Sequence, residues 1–250
     1  MPKVIILGAG LLTAFAMTAG SALAQEECAN RGTLDVMYCD ADGDLVADAP
    51  TDPSKLVDPD TLVFAYTPVE DPAIYEDIWT PFIEHLEEVT GKDVQFFAVQ
   101  SNSAEVEAMR SGRLHIAGFS TGPTPFAVNL AGVEPFAIMG AEDGQFGYKL
   151  QVYTQADSDI KEMIYSGSHD QSMLGVVAGD YDAAPVASEV VDRMAERGLY
   201  DPADVRIVWE SDPFPTTSYG VAYNLAPELK EKIKEAFGQW CRVYAPRPCC

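Results

Sequence analysis

The fold is decided by the stretch Leu114-His-Ile-Ala-Gly-Phe-Ser-Thr-Gly-Pro-Thr-Pro-Phe-Ala-Val128. Its first part, 114–117, predicts a short buried strand, and a helical pattern ends the stretch. The loop between them, 118–125, consists of glycine, proline, hydroxyl-bearing and aromatic residues. In an open α/β sheet, ligands bind beyond the carboxyl ends of the strands, where Ser120 and Thr121 offer hydroxyl donors. An ordinary strand-to-helix connection fits the same pattern, so both interpretations stay open.

The elements before this stretch alternate between strand and helix patterns. Apolar runs of strand length occur at 61–66 and 94–99, and helical spacing of apolar residues occurs at 75–90 and 103–111. The order strand, helix, strand, helix, strand predicts an α/β fold with a parallel sheet. Further along, the alternating stretch 148–154 predicts a strand that crosses between two lobes.

Length and charge limit the function. The chain has 250 residues and a formal net charge of −23. That length allows a sizeable core in one large or two small domains. The negative charge argues against nucleic acid and anionic membrane surfaces as partners. A small anionic ligand stays compatible with it if N–H groups, hydroxyls or a helix N-terminus face that ligand.

Residues 1–24 have the organisation of a secretory signal peptide. Lys3 gives the positive start, an apolar run follows, and Ala22-Leu-Ala24 matches the small-x-small cleavage pattern. The run is short for a membrane anchor, and no basic residues follow it. We therefore predict cleavage after Ala24 and a soluble exported protein, most simply a periplasmic one.

The chain contains five cysteines. Cys28 and Cys39 lie close enough in sequence to pair in an oxidising compartment. Cys241, Cys249 and Cys250 crowd the C-terminus, where adjacent cysteines rarely bridge to each other. None of the five has metal-site spacing with histidines.

An acidic turn precedes the first predicted strand. Asp40, Asp42, Asp44 and Asp48 are spaced around Gly43. Calcium takes several oxygen ligands and glycine permits a tight turn, so these four aspartates are candidate calcium ligands. The spacing departs from the complete EF-hand pattern, and no glutamate closes the loop. A solvated acidic turn is the alternative interpretation.

Five segments occur in a characteristic order. They are Phe64-Ala-Tyr-Thr-Pro68, Leu114-His-Ile-Ala-Gly-Phe-Ser-Thr-Gly-Pro123, Ser166-Gly-Ser-His-Asp-Gln-Ser172, Ala178-Gly-Asp-Tyr-Asp-Ala-Ala184 and Ser211-Asp-Pro-Phe-Pro-Thr-Thr-Ser218. Their combination resembles the PhnD-like family of periplasmic substrate-binding proteins, which serve ABC importers of phosphonate, phosphite or related phosphorus oxyanions. The resemblance covers most of residues 61–237. It implies a two-lobed, type II-like periplasmic binding protein with parallel-rich sheets, hinged to close on its ligand.

The resemblance also implies a ligand site between the lobes. The residues at the corresponding positions are Tyr66, Thr67, Ser120, Thr121, His169, Asp170 and Asp182. The first four would line one lobe. The histidine would contact an oxyanion from the other lobe, and one of the aspartates would accept a hydrogen bond from a protonated oxygen or an amine. Several donors and one carboxylate suit a partly protonated phosphorus oxyanion and discriminate against a fully deprotonated one.

The chain departs from this family after Lys161. The family has there a further helix, a strand and a Ser/Thr-rich loop that opens a long helix and binds the oxyanion at the helix N-terminus. Here 159–161 runs directly into 162–166. The expected organisation is a signal peptide at 1–24, an acidic extension at 25–60, lobe 1 at 61–155 completed by 212–240, a reduced lobe 2 at 156–211 and an atypical tail at 241–250.

The resulting function hypothesis is a binding module. We expect a monomeric receptor that passes a small phosphorus oxyanion to an ABC permease in the inner membrane, without a cofactor and without catalysis. One alternative is a periplasmic hydrolase that uses His169 and Asp182, although no nucleophile elbow, Walker loop or zinc-type histidine cluster is present in the sequence. The others are a calcium-stabilised extracellular interaction protein and a binding-defective deleted variant.

Overall fold

Two separate sheets organise the part of the chain that a computed structural model describes, namely residue 28 and residues 30–70, 73–140, 147–154 and 166–244. The strands are Thr61–Tyr66 (β1), Asp93–Phe96 (β2), Ile116–Phe119 (β3), Val133–Ile138 (β4), Leu150–Thr154 (β5), Ala183–Ala187 (β6), Arg206–Glu210 (β7) and Ser218–Ala222 (β8). The helices are Ala73–Thr90 (α1), Asn102–Arg110 (α2), Pro123–Ala131 (α3), His169–Ala178 (α4), Ser188–Glu196 (α5) and Pro227–Tyr244 (α6). The expected signal peptide at 1–24, the junction around Lys161 and the last six positions, 245–250, lie outside the described residues. No helix in the described ranges has the length and apolarity needed to cross a membrane.

The larger sheet, which defines lobe 1, has the strand order β2-β1-β3-β8-β4. β1 pairs in parallel with β2 and β3, whereas β8 runs antiparallel to β3 and β4. The strands bury their apolar side chains because helices α1 and α6 cover the sheet, with the rings of Phe82 and Phe237 4.7 Å apart between those helices. The predicted strand–helix alternation of lobe 1 is therefore confirmed.

β3 lies at the centre of that sheet, and all four of its residues are buried. It begins and ends two residues later than predicted. Gly118 and Phe119, which the sequence assigned to the loop, pair with β8. A Cβ atom on Gly118 would lie 2.8 Å from Tyr219 and 2.9 Å from Tyr66. The glycine thus permits close packing inside a strand, a use that a turn-based interpretation does not anticipate.

The smaller sheet, which defines lobe 2, has the order β6-β5-β7, and both of its strand pairs are antiparallel. The expectation of parallel-rich sheets is therefore wrong for this sheet. β6 and β7 run in the same direction, but β5 lies between them. β5, which lies within the stretch 61–155 expected for lobe 1, pairs with β6 and β7 of this sheet. An alternating strand turns one face to a core in either sheet, so its pattern could not decide between them.

Two crossing segments join the lobes. Tyr148 and Phe214 exchange both backbone hydrogen bonds at 3.0 Å, and their rings lie 4.5 Å apart. Gly147 has φ 140°, and a Cβ atom there would lie 2.8 Å from the Phe214 carbonyl oxygen. The predicted crossing strand therefore pairs with its returning partner just before it enters lobe 2.

The segment before β1 packs on lobe 1. The predicted Cys28–Cys39 pairing is confirmed as a disulfide. Leu34, Tyr38 and Ala47 form a small buried cluster that contacts Val128 and Tyr223. An isolated parallel bridge joins Val57 to Leu225. The acidic extension is thus folded against lobe 1.

Candidate functional site

Three polar side chains meet where the parallel strands of lobe 1 end. Thr67 follows β1, Asn102 begins α2 after β2, and Ser120 follows β3. The fully buried Thr67 hydroxyl lies 2.8 Å from Asn102 Oδ1 and 3.3 Å from Ser120 Oγ. Parallel strands present their carboxyl ends at one edge, so the fold itself brings these residues together. We call Thr67, Asn102 and Ser120 the hydroxyl–amide cluster.

This cluster has the chemistry of an anion site. Asn102 accepts through its oxygen from Thr67, which leaves its NH₂ group to donate. The helices α2 and α3 both begin beside the cluster, and α3 has no side-chain hydrogen bond at its N-cap, Gly122. Helix N-termini carry partial positive charge and unpaired N–H groups. These donors offset the acidic character of the whole chain locally.

Two other predicted residues of lobe 1 have structural partners. The buried Tyr66 hydroxyl lies 3.3 Å from Thr217 Oγ1, and burial raises the pKa of this phenol to about 12. The Thr121 hydroxyl donates to the Pro215 carbonyl in the second crossing segment. Both side chains therefore tie lobe 1 to the chain that returns from lobe 2.

Helix α4 brings lobe 2 against the loop after β1. The His169 backbone N–H donates to the Val69 carbonyl at 3.1 Å. The His169 ring lies on β6, where Nδ1 accepts from the Ala187 N–H at 3.4 Å and the Pro185 carbonyl also hydrogen-bonds the ring. Burial lowers the pKa of this imidazole below its ordinary value, so the ring is neutral at neutral pH.

A buried ion pair closes the same contact between the lobes. The Glu70 carboxylate, only 3% exposed, lies 2.8 Å from Arg193 Nη2 and 3.6 Å from Arg197 Nη1, both on the α5 side of lobe 2. Tyr75 donates to the same carboxylate at 3.4 Å. Sequence reasoning missed this pair because Glu70 and Arg193 are 123 positions apart and neither lies in a motif.

The two predicted aspartates of lobe 2 lie at different places. Asp170, in the first turn of α4, accepts from the Ser168 hydroxyl and from the Gln171 N–H. Asp182 directly precedes β6, and the His169 ring contacts Pro185 and Ala187 further along the same strand.

Each of the three histidines hydrogen-bonds a backbone group. Besides His169, His85 Nε2 lies 3.1 Å from the Ala236 carbonyl, and His115 Nδ1 accepts from the Val63 N–H at 2.9 Å. All three rings therefore connect elements of the fold. This arrangement gives no support to a catalytic histidine.

The acidic turn gathers three of its four candidate calcium ligands. Oxygen atoms of Asp40, Asp42 and Asp44 lie within 4.8 Å of one another. The carboxylate of Asp48 instead accepts from the Ala41 N–H at 2.7 Å. Asp40 is buried and accepts from the N–H groups of Gly43 and Leu45, which stabilises the turn without an ion.

A cavity of about 420 Å³ lies between α2 and α3 and shares Asn102 with the hydroxyl–amide cluster. Its lining is mainly apolar and includes one carboxylate: Asn102, Ser103, Val106, Glu107, Gly122, Pro123, Phe126 and Leu130. Such walls suit an oxyanion less well than the hydroxyl–amide cluster does, so the chemistry of the donors identifies the candidate site better than cavity size.

Comparisons with known proteins identify the family of the chain. A family model described as "ABC transporter, phosphonate, periplasmic substrate-binding protein" matches residues 64–164 and 161–240. The chain is 26% identical over 239 residues to the phosphate-import protein PhnD of Mycolicibacterium smegmatis, which covers 74% of this chain and 73% of that protein. The two pieces of the family match meet next to Lys161, where the sequence departs from the PhnD-like pattern.

Solved structures share the fold. A binding protein component of an ABC phosphonate transporter from Pseudomonas aeruginosa matches with a TM-score of 0.65 at 20% identity, over 72% of this chain and 74% of that one. PhnD1 from Prochlorococcus marinus, in complex with methylphosphonate, matches with a TM-score of 0.63 at 13% identity, over 72% of this chain and 84% of that one. With a family model that covers most of its length, the chain belongs to the periplasmic substrate-binding proteins of ABC phosphonate transporters.

Proposed function

We propose that this chain binds a phosphonate, phosphite or related phosphorus oxyanion at the contact between its lobes and delivers it to an ABC permease. The observation that carries the proposal is the hydroxyl–amide cluster, which gathers hydroxyl and amide donors beside two helix N-termini. Membership of the family implies a periplasmic protein. Export by residues 1–24 with cleavage after Ala24 completes the proposal, and the protein binds its ligand without turnover.

In this proposal, lobe 1 supplies most donors. Ser120 and Asn102 donate to the oxyanion, and Thr67 positions Asn102 by donating its single hydroxyl proton to the Asn102 side-chain oxygen. Tyr66 and Thr121 support the site indirectly, because their hydroxyls bond Thr217 and Pro215 in the segment that returns from lobe 2. Charge-assisted hydrogen bonds of this kind are shorter and stronger than neutral ones, which favours an ionised ligand over a neutral one.

Lobe 2 supplies the closing contacts. His169 and Asp170 begin α4, whose N-terminus already contacts Val69 of lobe 1. The His169 ring already bonds the backbone of β6, so Asp170 supplies the ligand contact of α4. Its carboxylate is an acceptor, and this acceptor requires a protonated oxygen or an amine on the ligand. Only residues 155–168 separate β5 from α4. The PhnD-like pattern implies a further helix, a strand and a Ser/Thr-rich loop at this point, so we expect fewer donors from lobe 2.

The test is titration calorimetry on the mature protein with phosphite, methylphosphonate, 2-aminoethylphosphonate and phosphate. We expect Ser120→Ala to weaken binding of the preferred ligand by about tenfold or more, since one hydrogen bond to a charged group is lost. Ser111→Ala, at the opposite end of α2, is the matched control and leaves the affinity unchanged. Equal affinity of both variants would contradict the assignment of the site, and heat from none of the four ligands would indicate a binding-defective protein.

A further inference from the structure

The two lobes have separate apolar cores. Each lobe has its own buried apolar cluster, and no described residue belongs to both clusters. Burial of apolar surface therefore stabilises each lobe by itself and does little to favour a closed arrangement of the lobes over an open one. The preference between these two arrangements depends on the polar groups at the contact between the lobes.

The overall charge of the chain opposes closure. With a formal net charge of −23, the acidic surfaces of the lobes repel each other as they approach. The contact between the lobes has the opposite character at one point. There Arg193 of α5, and Arg197 directly after that helix, face the buried carboxylate of Glu70 in the loop after β1. This attraction offsets the general repulsion where the lobes meet.

Each lobe holds its member of the ion pair in place. The loop that carries Glu70 is anchored on lobe 1, since the Thr67 N–H donates to the Gly118 carbonyl at 2.8 Å and the buried Tyr75 donates to the carboxylate. On the other side, α5 packs its apolar face into the buried cluster of lobe 2. Arg193 meets one carboxylate oxygen through Nη2 at 2.8 Å and Nε at 3.3 Å. Because both partners are preorganised, their contact costs little additional ordering.

We propose that Glu70 is a positioning residue that keeps the lobes together before any ligand binds, through its ion pair with Arg193. Opening separates the pair and returns both groups to water, so the closed arrangement is favoured by the difference between a charge-assisted contact with two donors and hydration. A ligand then enters during transient opening of the lobes. Since the competent arrangement is already populated, the affinity for the ligand is not reduced by the cost of closure.

The backbone N–H of His169 reports on this equilibrium. His169 is the first residue of α4, where N–H groups have no acceptor within the helix, and its acceptor is the Val69 carbonyl of lobe 1 at 3.1 Å. Hydrogen exchange at this amide therefore requires the lobes to separate. The N–H groups of Thr67 and Ser188 hydrogen-bond within lobe 1 and within lobe 2, so they report unfolding of each lobe instead.

The test is hydrogen exchange, followed by NMR, on the mature chain without ligand, so its outcome does not depend on the proposed function. We expect the His169 amide to be protected. Glu70→Gln should accelerate its exchange about tenfold, since a hydrogen bond between charged groups is lost. Arg193→Gln should accelerate it about a hundredfold, because closure then buries a carboxylate without its main partner. Glu84→Gln and Arg206→Gln, at exposed positions of lobe 1 and lobe 2, are the matched controls and leave the exchange unchanged.

The double variant, Glu70→Gln with Arg193→Gln, tests the pair itself. It removes both charges, so closure no longer buries an unpaired carboxylate, and the His169 amide should exchange about tenfold more slowly than in Arg193→Gln alone. Small-angle X-ray scattering should show a larger radius of gyration for Arg193→Gln than for the unaltered chain. An unprotected His169 amide in the unaltered chain would overturn the proposal, as would single variants without effect or a double variant that exchanges as fast as Arg193→Gln. Equal acceleration at Thr67 and Ser188 would also overturn it, since the lobes themselves would then be unfolding.

Discussion

Glu105 is a buried acid without a partner. Its side chain is fully buried on the inner face of α2, and neither carboxylate oxygen has a hydrogen bond among the described residues. Burial raises the pKa of this carboxyl well above its ordinary value, because the charged form loses its solvation. The folded protein therefore favours the protonated acid. Its contribution to stability is complete below the ordinary pKa and is lost as the pH rises through the folded-state pKa.

Replacement of Glu105 by a residue of similar size without charge should stabilise lobe 1. We expect Glu105→Met to raise the free energy of unfolding at pH 8 by about 1–3 kcal/mol, the cost of an unsatisfied buried polar group. Urea unfolding measures the change. The gain should shrink at acid pH, where the Glu105 carboxyl is protonated in the unfolded chain as well. Glu107→Met, on the exposed side of the same helix, should change stability by less than about 0.5 kcal/mol. A gain that is independent of pH would contradict the account.

At the scale of elements, helix ends were easier to predict than strand ends. The predicted helical stretches 75–90 and 103–111 end within one residue of the ends of α1 and α2. Gly112 and Gly132 follow α2 and α3, both with positive φ. The position of β3 was predicted two residues too early, because Gly118 serves close packing inside the strand and not a turn. The sheet of β5 was not predicted, because an alternating strand carries no information about its partner. Local patterns predict an element, whereas its register and its sheet depend on distant residues.

These two helix-terminal glycines provide a matched test. Gly132 has φ 62°, and a Cβ atom there would lie 2.6 Å from the Tyr38 ring, whereas Gly112 has φ 72° with nothing within 4 Å. Gly112→Ala should cost about 1–2 kcal/mol from the left-handed backbone alone. Gly132→Ala should cost about 1–3 kcal/mol more, because it also displaces Tyr38. Chemical denaturation measures both, and equal losses would show that Tyr38 moves away freely.

For the whole molecule, the sequence predicted the two lobes and most of the lobe 1 edge, since Thr67 and Ser120 follow recognisable strands. It could not place Asn102, Glu70 or Arg193, whose roles arise only when β2, the loop after β1 and α5 come together. Contacts between lobes combine residues from distant parts of the chain, and a single sequence gives no signal for such pairs.

The central claim is that the chain binds a phosphorus oxyanion mainly with the donors of lobe 1, without the Ser/Thr-rich loop of the PhnD-like pattern. Thermal melting of the mature protein tests it most directly, with phosphite, methylphosphonate, 2-aminoethylphosphonate or phosphate, and with sulfate as the control. A ligand at about a hundred times its dissociation constant adds about 2.7 kcal/mol to stability. We predict a higher melting temperature with at least one phosphorus ligand and none with sulfate, which offers no proton to Asp170. A cooperative melt that no phosphorus ligand shifts at about 10 mM, or that sulfate shifts equally, would contradict the claim.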